Sequence, residues 1–172
     1  MKYAVVERER RFLPRLPVDL SRASRAIQIE DRYLIGTRLR LRTVREPGRA
    51  AVRKLGQKRR LAAGGPSELA HTTVYLDDAE HALLSGLPAF TLIKTRHVVP
   101  MAAGLDAAVD VFHGRLSGLT TAEVDLGVDR SLPEPFPEWI GVEVTDVEEL
   151  TGYALAALAA GEVGRLLATY GG

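Results

Sequence analysis

Through the first three quarters of the chain, apolar and polar residues alternate with a period of two, the repeat of β-strands whose two faces meet different surroundings. Near the start, Glu7, Glu9 and Arg11 share one strand face, and Arg8, Arg10 and Phe12 the other. Ile27 to Ile35 is β-rich, and Gly36 offers a turn. Arg38, Arg40 and Arg42 then alternate with Leu39 and Leu41. The turn Glu46-Pro47-Gly48 leads into a strand from Ala50 to about Arg59, with Lys54 and Lys58 on a common face. Thr72 to Leu76, Phe90 to Val99, Asp106 to Phe112 and Thr120 to Gly127 read as further strands, about eight in all. Asp77 to Ser85 predicts a short helix, N-capped by Asp77 or Asp78 and ended by Gly86. Gly64-Gly65-Pro66 marks a hairpin loop.

Beyond the strands, Pro133, Pro135 and Pro137 form an extended linker into Trp139, which reads as its packing anchor. Glu148 to Tyr170 is rich in Ala and Leu at helical spacing, interrupted at Gly152 and Gly161. The expected fold is mainly β (α+β): an eight-stranded antiparallel β-barrel with short flanking helices and a C-terminal helix. A single domain over 1–172 is expected, with the barrel strands and the helix near 77–85 inside 1–127 and the linker and helical tail over 128–172.

Composition narrows the chemistry. The 172 residues include no cysteine, which excludes disulfides, thiolate metal sites and Cys nucleophiles. The charged N-terminus lacks the apolar core of a signal peptide, and no apolar run reaches a membrane span, so a cytoplasmic protein without a membrane partner is expected. The net charge of +1 hides a local excess: from Arg32 to Arg60 there are eleven Lys or Arg and one acid, Glu46. Such a stretch expects an anionic partner.

The polar strand faces are selective in sign. One strand offers Glu7 and Glu9, another Glu123 and Asp125, and three more offer Arg38, Arg40 and Arg42, then Lys54 and Lys58, then Lys94 and Arg96. Like charges along a strand repel unless something of opposite sign binds between them. A closed barrel whose polar faces surround a wet lumen accounts for all of these sets together. Carboxylates two residues apart project the same way, about 7 Å apart, and facing pairs suit a shared hard cation such as Mg2+ or Mn2+.

Val6-Glu7-Arg8-Glu9-Arg10-Arg11-Phe12-Leu13 is similar to the CYTH signature, E-x-E-x-K followed by an apolar pair. The remaining elements follow in that family's order: Arg38 to Arg42, Lys58, Lys94-Thr95-Arg96, Asp110-Val111-Phe112 with Gly114, Ala122-Glu123-Val124-Asp125, and Trp139 to Thr145. Over essentially its whole length the chain thus resembles the CYTH, or triphosphate tunnel metalloenzyme, family. That resemblance implies an eight-stranded tunnel acting on triphosphates. It implies metal at Glu7, Glu9, Glu123 and Asp125, with Asp110 or Glu123 orienting water. It also implies that Arg38, Arg40, Arg42, Lys58, Lys94 and Arg96 grip phosphates, with Lys54 added because it shares the face of Lys58. Arg11 stands where the family usually has a catalytic Lys, and arginine is never a base. His71 and Thr73 stand where many relatives carry another acidic pair, and a basic-polar pair is missing around Thr151-Gly152-Tyr153.

The expected activity is therefore metal-dependent hydrolysis of inorganic triphosphate or a small triphosphate ester. A cyclase-type family member and a catalytically weak polyphosphate-binding module are the alternatives. The expected partner is a triphosphate-containing small molecule, and a homodimer is left open. Nucleic acid is disfavoured, because RNA binders interleave exposed aromatics with their basic residues and only Tyr33 lies in the basic stretch. The histidines show no metal-ligand spacing, and His113 is placed near the tunnel mouth.

Overall fold

The computed structural model describes residues 4–60, 68–127, 130–132 and 134–170, so the loop at Gly64-Gly65-Pro66 lies outside the described residues. Nine strands are described: β1 (Val5–Pro14), β2 (Arg25–Leu34), β3 (Leu39–Arg45), β4 (Val52–Arg60), β5 (Glu68–Leu76), β6 (Ala89–Pro100), β7 (Asp106–Phe112), β8 (Thr120–Asp125) and β9 (Ile140–Glu143). Helix α1 (Asp78–Ser85) follows β5, and α2 (Gly152–Ala157) and α3 (Val163–Tyr170) end the chain. The strands run β5-β4-β3-β2-β6-β7-β8-β1, and β1 returns to β5, closing an antiparallel barrel of eight. Closure removes the unpaired edges that an open sheet leaves.

β1 is the closing strand. Its Glu9 to Phe12 pair with β8, from Glu9↔Asp125 to Phe12↔Ala122. Val5 to Arg8 pair with β5, and beyond them Phe12 and Pro14 pair with β9. The alternation of the sequence supplied the eight barrel strands but not β9, whose four residues are too short to show a period. β9 runs so close to β1 that a Cβ on Gly141 would collide with the Leu13 carbonyl, so only glycine fits there.

Period-two alternation divides the residues between two surroundings. Phe12, Val109, Ala122 and Val124 point outward and join Val99, Leu105, Leu132 and Ile140 in an apolar layer, covered by Val18, Leu20 and Trp139. On the inward face, the charged residues give way to Leu13, Leu92 and Phe112 at one end, where Leu150, Leu155, Val163 and Leu166 pack against them. Each large side chain so buried stabilises the fold by about 1.5–3 kcal/mol.

The C-terminal segment therefore closes one end of the barrel interior. Its helical spacing resolves into two short helices rather than one. Thr151 caps α2 by accepting from the Ala154 N–H, and Arg115 donates to the carbonyls of Leu155 and Ala156 at its other end. Tyr153 packs edge-on against Tyr33 and Phe90, at ring-centre distances of 6.1 and 5.8 Å. α1 begins with a full capping box between Asp77 and Glu80 and packs on the outside, where His81 meets Thr43. No described helix is long and apolar enough to cross a membrane.

A Cβ added at Gly152 would run into the Tyr33 hydroxyl. Gly152→Ala should therefore destabilise the protein by about 1–3 kcal/mol through forced displacement of α2. Part of that loss should return in a Tyr33→Phe background, where the hydroxyl is gone. Urea unfolding of the two single variants and the double variant measures this, and an unchanged midpoint for Gly152→Ala would show that α2 does not seat against Tyr33.

Candidate active site

The inward faces enclose a cavity of about 750 Å³. Its lining brings together Glu7, Glu9 and Arg11 of β1, Arg40 and Arg42 of β3, Lys58 of β4, Lys94 and Arg96 of β6, and Glu123 of β8. Arg38 joins from the exposed approach to β3. Antiparallel register explains the convergence: Arg42 pairs with Asp31, Arg11 with Glu123, Arg96 with Asp110 and Lys58 with His71, and residues directly opposite share a face.

Three clusters organise the charges. In the first, Asp31 is fully buried and accepts from Arg42 Nε and Nη2 at 2.6 and 2.7 Å, a bidentate pair, while Arg40 Nε stands 3.6 Å away. Burial opposes ionisation of Asp31, but the guanidinium charge of Arg42 outweighs it and holds the carboxyl well below its usual range. In the second, Asp110 accepts from Lys94 Nζ at 2.5 Å and from Arg96 Nε and Nη2 at 2.7 Å, and Arg96 Nη2 also reaches Glu123 Oε2 at 2.7 Å. Arg11 Nε holds the other Glu123 oxygen at 3.2 Å and Arg11 Nη1 donates to the Leu150 carbonyl. Burial opposes the charge on Asp110 and Glu123 as well, yet Lys94, Arg96 and Arg11 keep both pKa values depressed. Burial pushes the Lys94 ammonium down from its usual value.

The third cluster joins β1, β4 and β5. Lys58 Nζ lies 2.8 Å from Glu7 Oε2 and 2.6 Å from Glu9 Oε1, and His71 Nδ1 lies 2.7 Å from Glu7 Oε1. Glu7 is held down at about 2: burial works against this, and the hydrogen bonds from His71 and Lys58 prevail. Glu9 shifts the other way, raised by burial and by the nearby charge of Glu123, with Lys58 compensating only in part. Glu9 Oε2 is buried with no hydrogen-bond donor among the described residues, and Arg40 Nε is buried with no acceptor.

Not every residue singled out from the sequence reaches the cavity. Lys54 shares its strand face with Lys58, but its ammonium lies 5.2 Å from the centre of the Tyr75 ring and does not line the cavity. Asp125 is exposed and accepts from the Gly127 N–H at 2.9 Å. Asp110 lies behind the lining with its oxygens taken by Lys94 and Arg96, so it positions those cations. His113 meets Thr95 at 2.7 Å on the face of β6 opposite Lys94 and Arg96, away from the tunnel. Among the described residues, no three His, Asp or Glu side chains come together as a metal cluster. Conversely, the cavity includes Tyr33, His71, Thr145, Glu148 and Tyr153, and Asp31 supports it from behind. Asp31 is an acid on the inward side of the Ile27–Ile35 alternation, a lone signal that the sequence reading passed over. The C-terminal residues carry no strand period to betray them.

Because the Asp31 carboxyl is depressed below 3.8, its charge stabilises the fold above that pH and the contribution is lost as pH falls through the folded value. Asp31→Asn leaves the Arg42 guanidinium buried without its counter-ion and should destabilise by about 3–5 kcal/mol at pH 7. The gap between wild type and variant should narrow progressively below about pH 4. Urea titrations at several pH values read this directly, and a gap independent of pH would show that the carboxylate charge is not what matters.

No protein-family model and no curated protein matches the chain. Among solved structures, the inorganic triphosphatase NE1496 is similar, with 24% identity, a TM-score of 0.59, and 92% of this chain and 99% of that one covered. A second structure of the NE1496 protein gives 25% identity, a TM-score of 0.57, and coverage of 88% and 98%. The PH1819 protein from Pyrococcus horikoshii OT3 gives 17% identity, a TM-score of 0.53, and coverage of 73% and 80%. With its closed barrel of eight strands and its charged lumen, the chain has the triphosphate tunnel fold of these structures.

Proposed function

We propose that this protein is a metal-dependent triphosphatase, acting on inorganic triphosphate or a small triphosphate ester held in the tunnel. The observation that carries the reading is the pairing of opposite needs in one cavity: Glu9 presents a buried oxygen without a donor, and Arg40 a buried Nε–H that makes no hydrogen bond, its carboxylate neighbour Asp31 standing 3.6 Å away. The first asks for a cation and the second for an anion. A metal–triphosphate supplies both. The similarity to a protein named as an inorganic triphosphatase supports the same reading.

The residues fit a divalent cation through oxygen chemistry. Glu9 and Glu123 lie close enough that the charge of one raises the pKa of the other, a repulsion that a hard cation relieves. Glu7, Glu9 and Glu123 line the cavity without grouping as a three-acid cluster, so they would have to turn toward a metal to hold it, and exposed Asp125 is left out of the set. When bound, Mg2+ or Mn2+ supplies Lewis-acid polarisation of a phosphoryl oxygen. Arg40, Arg42, Lys58, Lys94 and Arg96 align the phosphates and neutralise charge developing in transfer, and Arg38 receives the anion at the rim. Asp31 and Asp110 fix Arg42, Lys94 and Arg96 in place before substrate arrives, which removes a reorganisation cost from the reaction. Arg11 orients Glu123 and has no capacity as a base.

A binding module without turnover is the second reading. It is favoured by His71 and Thr73 in place of an acidic pair and by the compensation of Glu7 from within the chain. Phosphate release from tripolyphosphate, ATP and thiamine triphosphate, each with Mg2+ and Mn2+, separates the two. Metal-dependent release is expected, and tripolyphosphate should raise the melting temperature by several degrees. A thermal shift without release would leave the binding module standing, and neither effect would remove the triphosphate site altogether.

Glu9→Gln should lower kcat about 100-fold or more through loss of one strong electrostatic contact. Because burial raises the pKa of Glu9, its ionised form is held at a cost near neutral pH, and the neutral amide should leave the melting temperature unchanged or higher. Full turnover in this variant at saturating metal would remove Glu9 from the site.

A further inference from the structure

Lys58 occupies a position that its role as a phosphate ligand does not explain. Its ammonium bridges two carboxylates, 2.8 Å from Glu7 and 2.6 Å from Glu9, on the acidic side of the tunnel. We propose that Lys58 is a tethered stand-in for the divalent cation, and that arrival of the metal at Glu7 and Glu9 releases Lys58 to the bound phosphate, so that metal and anion bind cooperatively. The inference rests on the metal-dependent reading above.

Three features suit Lys58 to this exchange and exclude its neighbours. First, Arg42 and Arg96 are clamped by two hydrogen bonds each to Asp31 and Asp110, and Lys94 is buried against Asp110, whereas Lys58 is held by an unbranched stem with a side chain 29% exposed. A flexible ammonium on four carbons reorients more readily than a forked guanidinium. Second, the carboxylate it would leave stays oriented, because His71 holds the other oxygen of Glu7 at 2.7 Å. Third, there is room. Gly56 lies two residues from Lys58 on the same strand face, where a Cβ would come 3.3 Å from His71 Nε2 and 3.5 Å from Arg40 Nη2. A methyl there would crowd both groups, so the room lies not at Gly56 but in the cavity of about 750 Å³ that Lys58 and Arg40 both line.

The electrostatics run in the same direction. Each carboxylate oxygen contacted by Lys58 would exchange a single charge for a double one, and the freed ammonium would meet a phosphate oxygen instead of repelling the metal. Such coupling is reciprocal: the anion must tighten the metal by the factor with which the metal tightens the anion.

Mn2+ binding, read from the loss of the free-ion paramagnetic resonance signal, tests this without turnover, with sulfate as an anion that chelates Mn2+ only weakly. In the wild type, saturating sulfate should tighten Mn2+ by about fivefold or more, within the usual range of coupling between sites. Lys58→Met keeps the stem and removes the charge. It should bind Mn2+ alone several-fold more tightly than the wild type, and sulfate should no longer change that affinity. Weaker or equal Mn2+ binding by the variant, or coupling that survives in it, would overturn the proposal. Should the variant not fold, wild-type coupling alone decides: no effect of sulfate on Mn2+ affinity ends the exchange idea. If the wild type binds no Mn2+ at all, the metal-dependent reading itself fails, an outcome distinct from binding without coupling.

Discussion

Charges taken out of water must find partners, and the interior of this barrel is built around that requirement. Breaking one buried pair costs about 3–5 kcal/mol, comparable with the net stability of a small domain. Asp31 with Arg42, and Asp110 with Lys94 and Arg96, meet the requirement from within the chain. Each pair spans neighbouring strands, so strand register and charge compensation specify one another. A one-residue slip of β2 against β3 would turn Asp31 outward and leave Arg42 alone inside.

The same requirement is met unevenly, and the unevenness separates scaffold from site. Where both carboxylate oxygens are taken by guanidinium groups, the cations are held by two hydrogen bonds each and so preorganised. Around Glu9 the compensation is partial, as the raised pKa and the partnerless oxygen both show. Strain of this kind is tolerated where something binds, and the better-paired clusters on β2, β3, β6 and β7 offset it. The apolar plug of Leu13, Leu92 and Phe112 under α2 adds a second gradient, from a charged lumen to an apolar closed end.

Much of this was legible from the alternation, because a lumen inverts the usual rule and puts the uniform charges on inward faces. Glu7, Glu9, Arg40, Arg42, Lys58, Lys94, Arg96 and Glu123 share one cavity for that reason. Alternation assigns a face but not a height along the barrel. Lys54 and Asp125 lie on the right faces yet outside the cavity lining, against Tyr75 and the Gly127 turn. Asp31 was missed as a site residue because a single acid among apolar neighbours makes no set, and its meaning appears only opposite Arg42. β9 and the two short C-terminal helices depend on contacts distant in sequence, such as Arg11 with Thr145 and Arg115 with α2, which no local period encodes.

Three residues depart from the pattern that the sequence resemblance implies, and each has a partner in the barrel. Arg11 in place of lysine spans Glu123 and the Leu150 carbonyl, tying an acidic strand to the segment that closes the barrel. A lysine there has no fork with which to hold both partners from one planar group. His71, in place of an acid, supplies Glu7 with a hydrogen-bond partner where a carboxylate would add repulsion. Thr73, 3.3 Å from His71 Nε2, occupies the ring's second nitrogen. Of these changes only His71 moves compensation of a carboxylate, that of Glu7, onto the chain itself, since Arg11 keeps the charge of a lysine and Thr73 meets only the His71 ring. Such pairing makes the charged lumen easier to hold together, and under the proposed function a metal would have that internal pairing to displace. Under that reading, stability of the barrel and affinity for a metal would draw on the same carboxylates, and Glu9, with one oxygen lacking a donor, is the one left least committed to the chain's own cations.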